Sequence, residues 1–251
     1  MKRVGQQNQK GNEKPKPVRK TVSFIQDAGG EIVTGEDLKP TSTKLTSVVP
    51  QLRRNLTAIP LHNLLILGGL LHYGITENVE SIMLKGFITS LPIQAAYNYI
   101  LAKNTTRKSK QTNIPLLVAS SILVSIFFAV PLFATIVLLG APVYKFSFTT
   151  ACMALHLSLL VFSPLLVLYS LDFKQFKMLF YQDRIYFTIF GHPVLSQVLL
   201  TLGCCWLGVI PIPLDWDRPW QQWPITLLVG AYAGGIVGSV VSLAVNLWIR
   251  K

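Results

Sequence analysis

The residues of this 251-residue chain that could do chemistry are few, and most lie in one stretch. P-I-P-L-D-W-D-R-P-W-Q-Q-W-P, Pro211 to Pro224, sets Trp216, Trp220 and Trp223, Asp215 and Asp217, and Arg218 into a single short connection. Three readings suit those residue types. The tryptophans form an aromatic belt at a membrane surface, with an aspartate pairing Arg218 inside the loop. Alternatively, the carboxylates and Arg218 contact a lipid headgroup or a partner protein. In the third reading the Asp-x-Asp pair holds a divalent metal, for which two ligands on one strand are weak support.

Elsewhere reactive groups are scattered. His62, His72, His156 and His192 fall in four separate segments, with no His-x-x-x-His or His-Glu-x-x-His spacing for a metal. There is no Walker-type phosphate loop, no Gly-x-Ser-x-Gly elbow and no Asp-Gly-x-x-Ala-Arg segment like that of the alcohol-phosphatide transferases. Cys152, Cys204 and Cys205 all sit in apolar runs and read as buried thiols. His156, with Ser158 and Ser163 nearby, reads as a neutral imidazole bonded to a neighbouring helix. No catalytic residue, metal or cofactor is expected.

The elements that must position these residues follow from composition. Hydrophobic residues make up 51% of the chain and charged ones only 14%, yet the net charge is +12. A soluble domain is about a quarter charged, so the apolar and basic residues must occupy different places. Residues 1–55 hold 11 Lys and Arg against 5 Asp and Glu. This segment is expected to be a disordered basic cytoplasmic tail, with too few apolar residues to bury. It has no apolar stretch long enough for a signal peptide, which leaves the first apolar run as an uncleaved anchor. Nucleic acid is not an expected partner, because the charge is explained by orientation in a membrane. Within the tail, Lys20-Thr21-Val22-Ser23-Phe24 resembles the docking motif of type 1 protein phosphatase.

Residues 56–251 form the second expected domain. It is all-α and membrane-embedded, with six apolar runs near 56–75, 82–102, 114–139, 147–170, 193–212 and 225–249, each near the ~20 residues a helix needs to cross. Lys85, Pro92, Gln94 and Asn98 interrupt the second; Gln94 and Asn98 share a face suited to bonding a neighbouring helix. Pro131 could kink or split the third. With both termini cytoplasmic, 20 of the 23 Lys and Arg fall on the cytoplasmic side, whereas splitting the third run spoils that bias. Two sequons, Asn55-Leu56-Thr57 and Asn104-Thr105-Thr106, then lie where glycans are not added.

The last run carries a packing signal. Gly230, Gly234 and Gly238 are spaced by four, with Ala231, Gly235 and Ser239 alongside, forming a groove for a close helix. That helix belongs either to this chain or to a partner subunit.

At the Pro211 to Pro224 stretch, P-I-P-L-D-W-D-R-P-W-Q-x-W-P leading into a Gly-rich last span resembles the PIG-F family of glycosylphosphatidylinositol (GPI) anchor biosynthesis. Leu139-Gly140-Ala141-Pro142 is similar to that family's L-x-G-A-P segment, and the six-span layout covers about residues 50–251. The resemblance implies a multi-pass subunit of the endoplasmic-reticulum membrane. It would stabilise the large catalytic ethanolamine-phosphate transferases, which add phosphoethanolamine to mannoses of the GPI precursor. It offers Asp215, Trp216, Asp217, Arg218, Trp220 and Trp223 as lumen-facing contacts for a partner or for membrane lipids. A lipid-handling enzyme or flippase using the same loop is the second reading, and a small transporter the third.

Overall fold

The computed structural model of the protein describes residues 49–106, 113–181, 184–214 and 216–249. The tail before Val49, with its Lys20 to Phe24 motif, lies outside the described residues, as does Asp215. Among the described residues the chain is helical, with one isolated antiparallel bridge, Leu52 to Thr105, and no strand. The helices are α1 (His62–His72), α2 (Val79–Asn104), α3 (Ile114–Leu138), α4 (Ser147–Leu168), α5 (Phe173–Leu179), α6 (Ile185–Gly191), α7 (Pro193–Leu207) and α8 (Ile225–Ile249).

Local chemistry sets several of these boundaries. Asn78 caps α2, its side chain accepting the Ser81 N–H at 3.1 Å, with Glu80 in the first turn facing the helix dipole. Asp172 caps α5 by accepting from the backbone of Lys174 and Gln175. Pro193 opens α7, where its missing N–H costs nothing. Pro131 does not break α3, which runs on to Leu138.

Among the described residues, three helices are long and apolar enough to cross a membrane: α3, α4 and Ile225–Trp248 of α8, with mean hydropathies of 2.5, 2.2 and 1.9. The pair α6 and α7, meeting at 98°, makes a fourth if it is one broken span. The first expected run is instead divided, with a 3-10 turn at Asn55–Ala58 preceding the 11 residues of α1. The second is a continuous helix of 26 residues whose apolar character is diluted by buried Ser90, Gln94 and Asn98.

Those polar groups join helices. His62 Nε2 lies 2.9 Å from Gln94 Oε1, Gln94 Nε2 donates to Asn98 Oδ1, and Asn98 Nδ2 donates to Ser163 Oγ at 2.5 Å, linking α1, α2 and α4. The Tyr97 hydroxyl lies 2.8 Å from the Ala58 carbonyl and 3.0 Å from Gln197 Oε1 on α7. His156 is fully buried, with Nε2 3.0 Å from the Met83 carbonyl and Nδ1 2.7 Å from the Tyr232 hydroxyl. A carbonyl only accepts, so Nε2 carries the proton and Nδ1 accepts from Tyr232, tying α4 to α2 and α8.

The pairings fix the relative directions of α1, α2, α4 and α8. His62 meets Gln94 while Leu70 lies against Gly86, so α1 and α2 are antiparallel. Met83 pairs with His156 and Asn98 with Ser163, so α2 and α4 run the same way. Trp223 and Tyr232, approaching and within α8, pair with Thr150 and His156, so α8 runs with α4. One end of the array, the tail end, gathers Val49 to Arg54, Asn104, His192 and Asn246. There His192 Nε2 lies 3.2 Å from the Pro50 carbonyl, and Asn246 donates to the Gly191 carbonyl. The opposite, loop end holds Pro211 to Pro224.

Packing begins before residue 56. Val49 is 3% exposed, and the Asn104 side chain clasps the entering segment. Asn104 Nδ2 donates to the Arg54 carbonyl and to Thr57 Oγ1, and Oδ1 accepts from the Arg54 N–H.

The contact that fixes the array is α7 on α8, which are antiparallel. A Cβ on Gly230, Gly234 or Gly238 would overlap the carbonyl oxygen of Cys204, Leu200 or Ser196, respectively. Ser196 Oγ also donates to the Gly238 carbonyl at 2.7 Å. The small-residue groove is therefore filled by this chain's own α7.

Two outcomes follow. Gly234→Leu forces a side chain against backbone and is expected to cost about 3 kcal/mol or more, the upper end of over-packing. In detergent the purified chain should aggregate on size-exclusion chromatography even without any partner; a normal monomer peak would contradict the contact. Asn104 is expected to carry no glycan, because its amide nitrogen is spent on two bonds, and glycosidase treatment should leave its mobility unchanged. Asn104→Ala should destabilise by about 1–3 kcal/mol in thermal melts, from the buried groups it strands.

Candidate functional site

The loop between α7 and α8 is held closed at its base. Gly208, just past α7, packs so tightly on the backbone of Thr226 and Leu227 that a Cβ there would lie 2.5 Å from the Thr226 carbonyl oxygen. Inside the loop, the organising side chain is one that reading by residue type passes over. Gln221 is 8% exposed; its Nε2 donates to the carbonyls of Pro211 at 2.8 Å and Leu214 at 2.9 Å, and its Oε1 accepts from the Arg218 N–H at 2.8 Å. One amide thus ties together three backbone groups of the loop: it engages the Arg218 N–H and adds a second donor to the Pro211 and Leu214 carbonyls, which also accept from the Leu214 and Trp216 N–H groups. The 3-10 turn Pro219–Gln221 starts with a proline whose fixed φ suits it. Asp217 sits at φ 46°, a left-handed conformation that aspartate tolerates better than branched residues.

This frame splits the six sequence-marked residues. Trp216 and Trp220 are exposed, their ring centres 5.8 Å apart and tilted by 57°. With the exposed Arg218 they line an open cavity of about 340 Å³. Asp217 is exposed beside them, and Asp215 is outside the described residues. Trp223 turns the other way, partly buried against the helical core, and its Nε1 donates to Thr150 Oγ1 on α4 at 2.9 Å. Trp223 therefore anchors the loop while Trp216 and Trp220 face outward. Among the described residues, no three His, Cys, Asp or Glu side chains converge in a way that could hold a metal.

Chemically, the outward face combines a planar cation with two aromatic faces. A guanidinium presents five N–H donors in a plane matched to phosphate or carboxylate. The indoles beside it supply large rigid apolar faces with one polar edge each, as found at protein and membrane interfaces.

Compared with known proteins, residues 58–243 match the model of the GPI biosynthesis protein family Pig-F. The chain belongs to the Pig-F family. "Glycosylphosphatidylinositol anchor biosynthesis protein 11" of Candida albicans is 48% identical over 256 residues, covering 92% of this chain and 97% of its own. The protein of the same name in Debaryomyces hansenii is 39% identical, covering 90% and 96%. The human "GPI ethanolamine phosphate transferase, stabilizing subunit" is 31% identical over 169 residues, covering 66% of this chain and 75% of its own. No solved structure matches. The family match takes in the loop, Gly230, Gly234 and Gly238, so in this Pig-F chain the outward tryptophan–arginine face and the α7–α8 contact belong to the shared region.

Gln221→Ala is expected to release the loop while leaving the helices intact. Removing three hydrogen bonds at about 1 kcal/mol each should raise amide exchange across residues 211–222 by roughly a hundredfold. Exchange at wild-type rates there would contradict the role assigned to this amide.

Proposed function

We propose that the chain is an accessory, stabilising subunit of the ethanolamine-phosphate transferases that add phosphoethanolamine to mannoses of the GPI-anchor precursor. It works as a multi-pass protein of the endoplasmic-reticulum membrane. The observation that carries this reading is the likeness to the human protein whose name describes a stabilising subunit, together with a family match over residues 58–243 that includes the loop and the last helix pair.

The layout proposed is a six-span domain with both termini cytoplasmic, its packed part beginning at Val49. Alternation of α1, α2, α3, α4, α7 and α8 supports six crossings, with α1 and α7 lengthened by the turns beside them. Charge supports the orientation. Arg53, Arg54, Lys103, Lys174, Lys177 and Arg184 belong to the tail end, whereas the connections of the loop end carry Lys145 and Arg218. The loop then faces the lumen, where Asp215, Trp216, Asp217, Arg218 and Trp220 contact the transferase or a membrane lipid and Trp223 holds them in place. The partners are the large catalytic transferase subunits, bound through surfaces other than the occupied glycine groove.

Purification in mild detergent should recover the chain with a large transferase in stoichiometric amount; a partner-free chain from membranes containing that transferase would contradict the proposal. Asp215→Asn with Asp217→Asn, and separately Arg218→Gln, then locates the loop's role. Loss of the co-purified transferase by about tenfold, with the chain itself at normal yield, is expected for an assembly contact. Normal co-purification with accumulation of precursors lacking phosphoethanolamine would instead assign the loop to substrate handling.

A further inference from the structure

The connection between α4 and α7 was expected as a cytoplasmic loop; it contains two short helices with unusual surfaces. Phe176, Leu179 and Ile189 pack inward on the core at the tail end. The opposite faces are apolar too, with Phe173 57%, Met178 56%, Phe180 64%, Tyr181 76%, Tyr186 74% and Phe187 59% exposed. Helix α6 is apolar on nearly every side, and α5 sets exposed Phe173 and Met178 beside Lys174 and Lys177, while the protein covers only one side of each.

Geometry indicates what covers the other. The glycine contact holds α7 lengthwise against α8, which at about 1.5 Å per residue is about 37 Å long over 25 residues. Helix α6 is turned 98° from α7. If α7 and α8 cross the bilayer, α6 must lie across the bundle axis, in the plane of the membrane surface. It is held there by the Asn246 bond to Gly191 and the His192 bond to Pro50.

Charge selects the lipid. Lys174, Lys177 and Arg184 are exposed on or beside these helices, and Arg53, Arg54 and Lys103 join them at the same end. Of the acids in this connection, Asp172 is spent as the α5 cap and Asp183 lies outside the described residues. Lysines mixed with aromatic side chains are depleted from protein-interface cores but typical of helices lying in a lipid headgroup layer.

We propose that α5 and α6 form a platform seated in the cytoplasmic leaflet, with Phe173, Met178, Phe180, Tyr186 and Phe187 entering the acyl boundary and the tail-end cations contacting anionic lipid headgroups. The platform rests on the reading of α7 and α8 as spans, but not on any particular partner. It sets the depth of the bundle and presents the cations to acidic lipids.

The test uses the full chain in vesicles of phosphatidylcholine with or without phosphatidylserine. Nitroxides at Met178→Cys and Phe187→Cys are compared with one at Leu123→Cys on the outer face of α3, the unsubstituted chain serving as blank for its native thiols. Collision with oxygen should exceed collision with a water-soluble nickel chelate at all three positions. Water-like values at 178 and 187 with lipid-like values at 123 would overturn the platform alone, whereas water-like values at 123 would overturn the membrane reading itself. Phosphatidylserine retained by the purified chain should fall roughly fivefold for each cation removed by Lys174→Gln, Lys177→Gln or Arg184→Gln. Retention independent of these cations would overturn the choice of an acidic lipid.

Discussion

The backbone-to-backbone approach of α7 and α8 is the constraint on which the rest of the structure depends. In a bilayer, two helices gain little by hiding apolar side chains from lipid that is equally apolar, so close packing must supply the attraction. Gly230, Gly234 and Gly238 provide it by letting the α7 carbonyls of Cys204, Leu200 and Ser196 settle into their groove. The two ends of that seam set what happens beyond it. At one end Gly208 meets Thr226 and closes the base of the tryptophan loop; at the other, the His192–Pro193 corner turns α6 aside.

Buried polar pairs then determine how the other helices stand around the seam. Each connects residues distant in sequence: Asn98 with Ser163, Tyr97 with Gln197, His156 with Met83 and Tyr232. An unpaired donor in hydrocarbon costs several kcal/mol, so each pair penalises any other register or helix order. The polar interior thus works as an address system for helices, and the exposed polar chemistry is left at the ends of the array.

Much of this was legible in the chain before its coordinates. The run at 225–249 coincides with α8 because its apolar length and glycine spacing both report helix packing in lipid. Gln94 and Asn98, four apart, signalled a polar face toward neighbouring helices. Which helices they meet was not encoded in spacing, since partner choice is a property of the assembled bundle. The first run misled on length: Pro60 follows the 3-10 turn and α1 starts only at His62, so hydropathy alone overstated it. In the loop, Trp216, Arg218 and Trp220 stood out by type, but Trp223 gave no sign that it points inward. Gln221 was overlooked because an ordinary amide announces nothing until three backbone groups converge on it.

This chain fills its own glycine groove, so a bound transferase would meet it on other surfaces. A structure of the chain bound to its co-purified transferase tests that most directly. Gly234 should lie against Leu200 of the same chain, with the transferase contacting the tryptophan loop or the outer helix faces. A transferase helix lying on Gly230, Gly234 and Gly238, with α7 displaced, would contradict it.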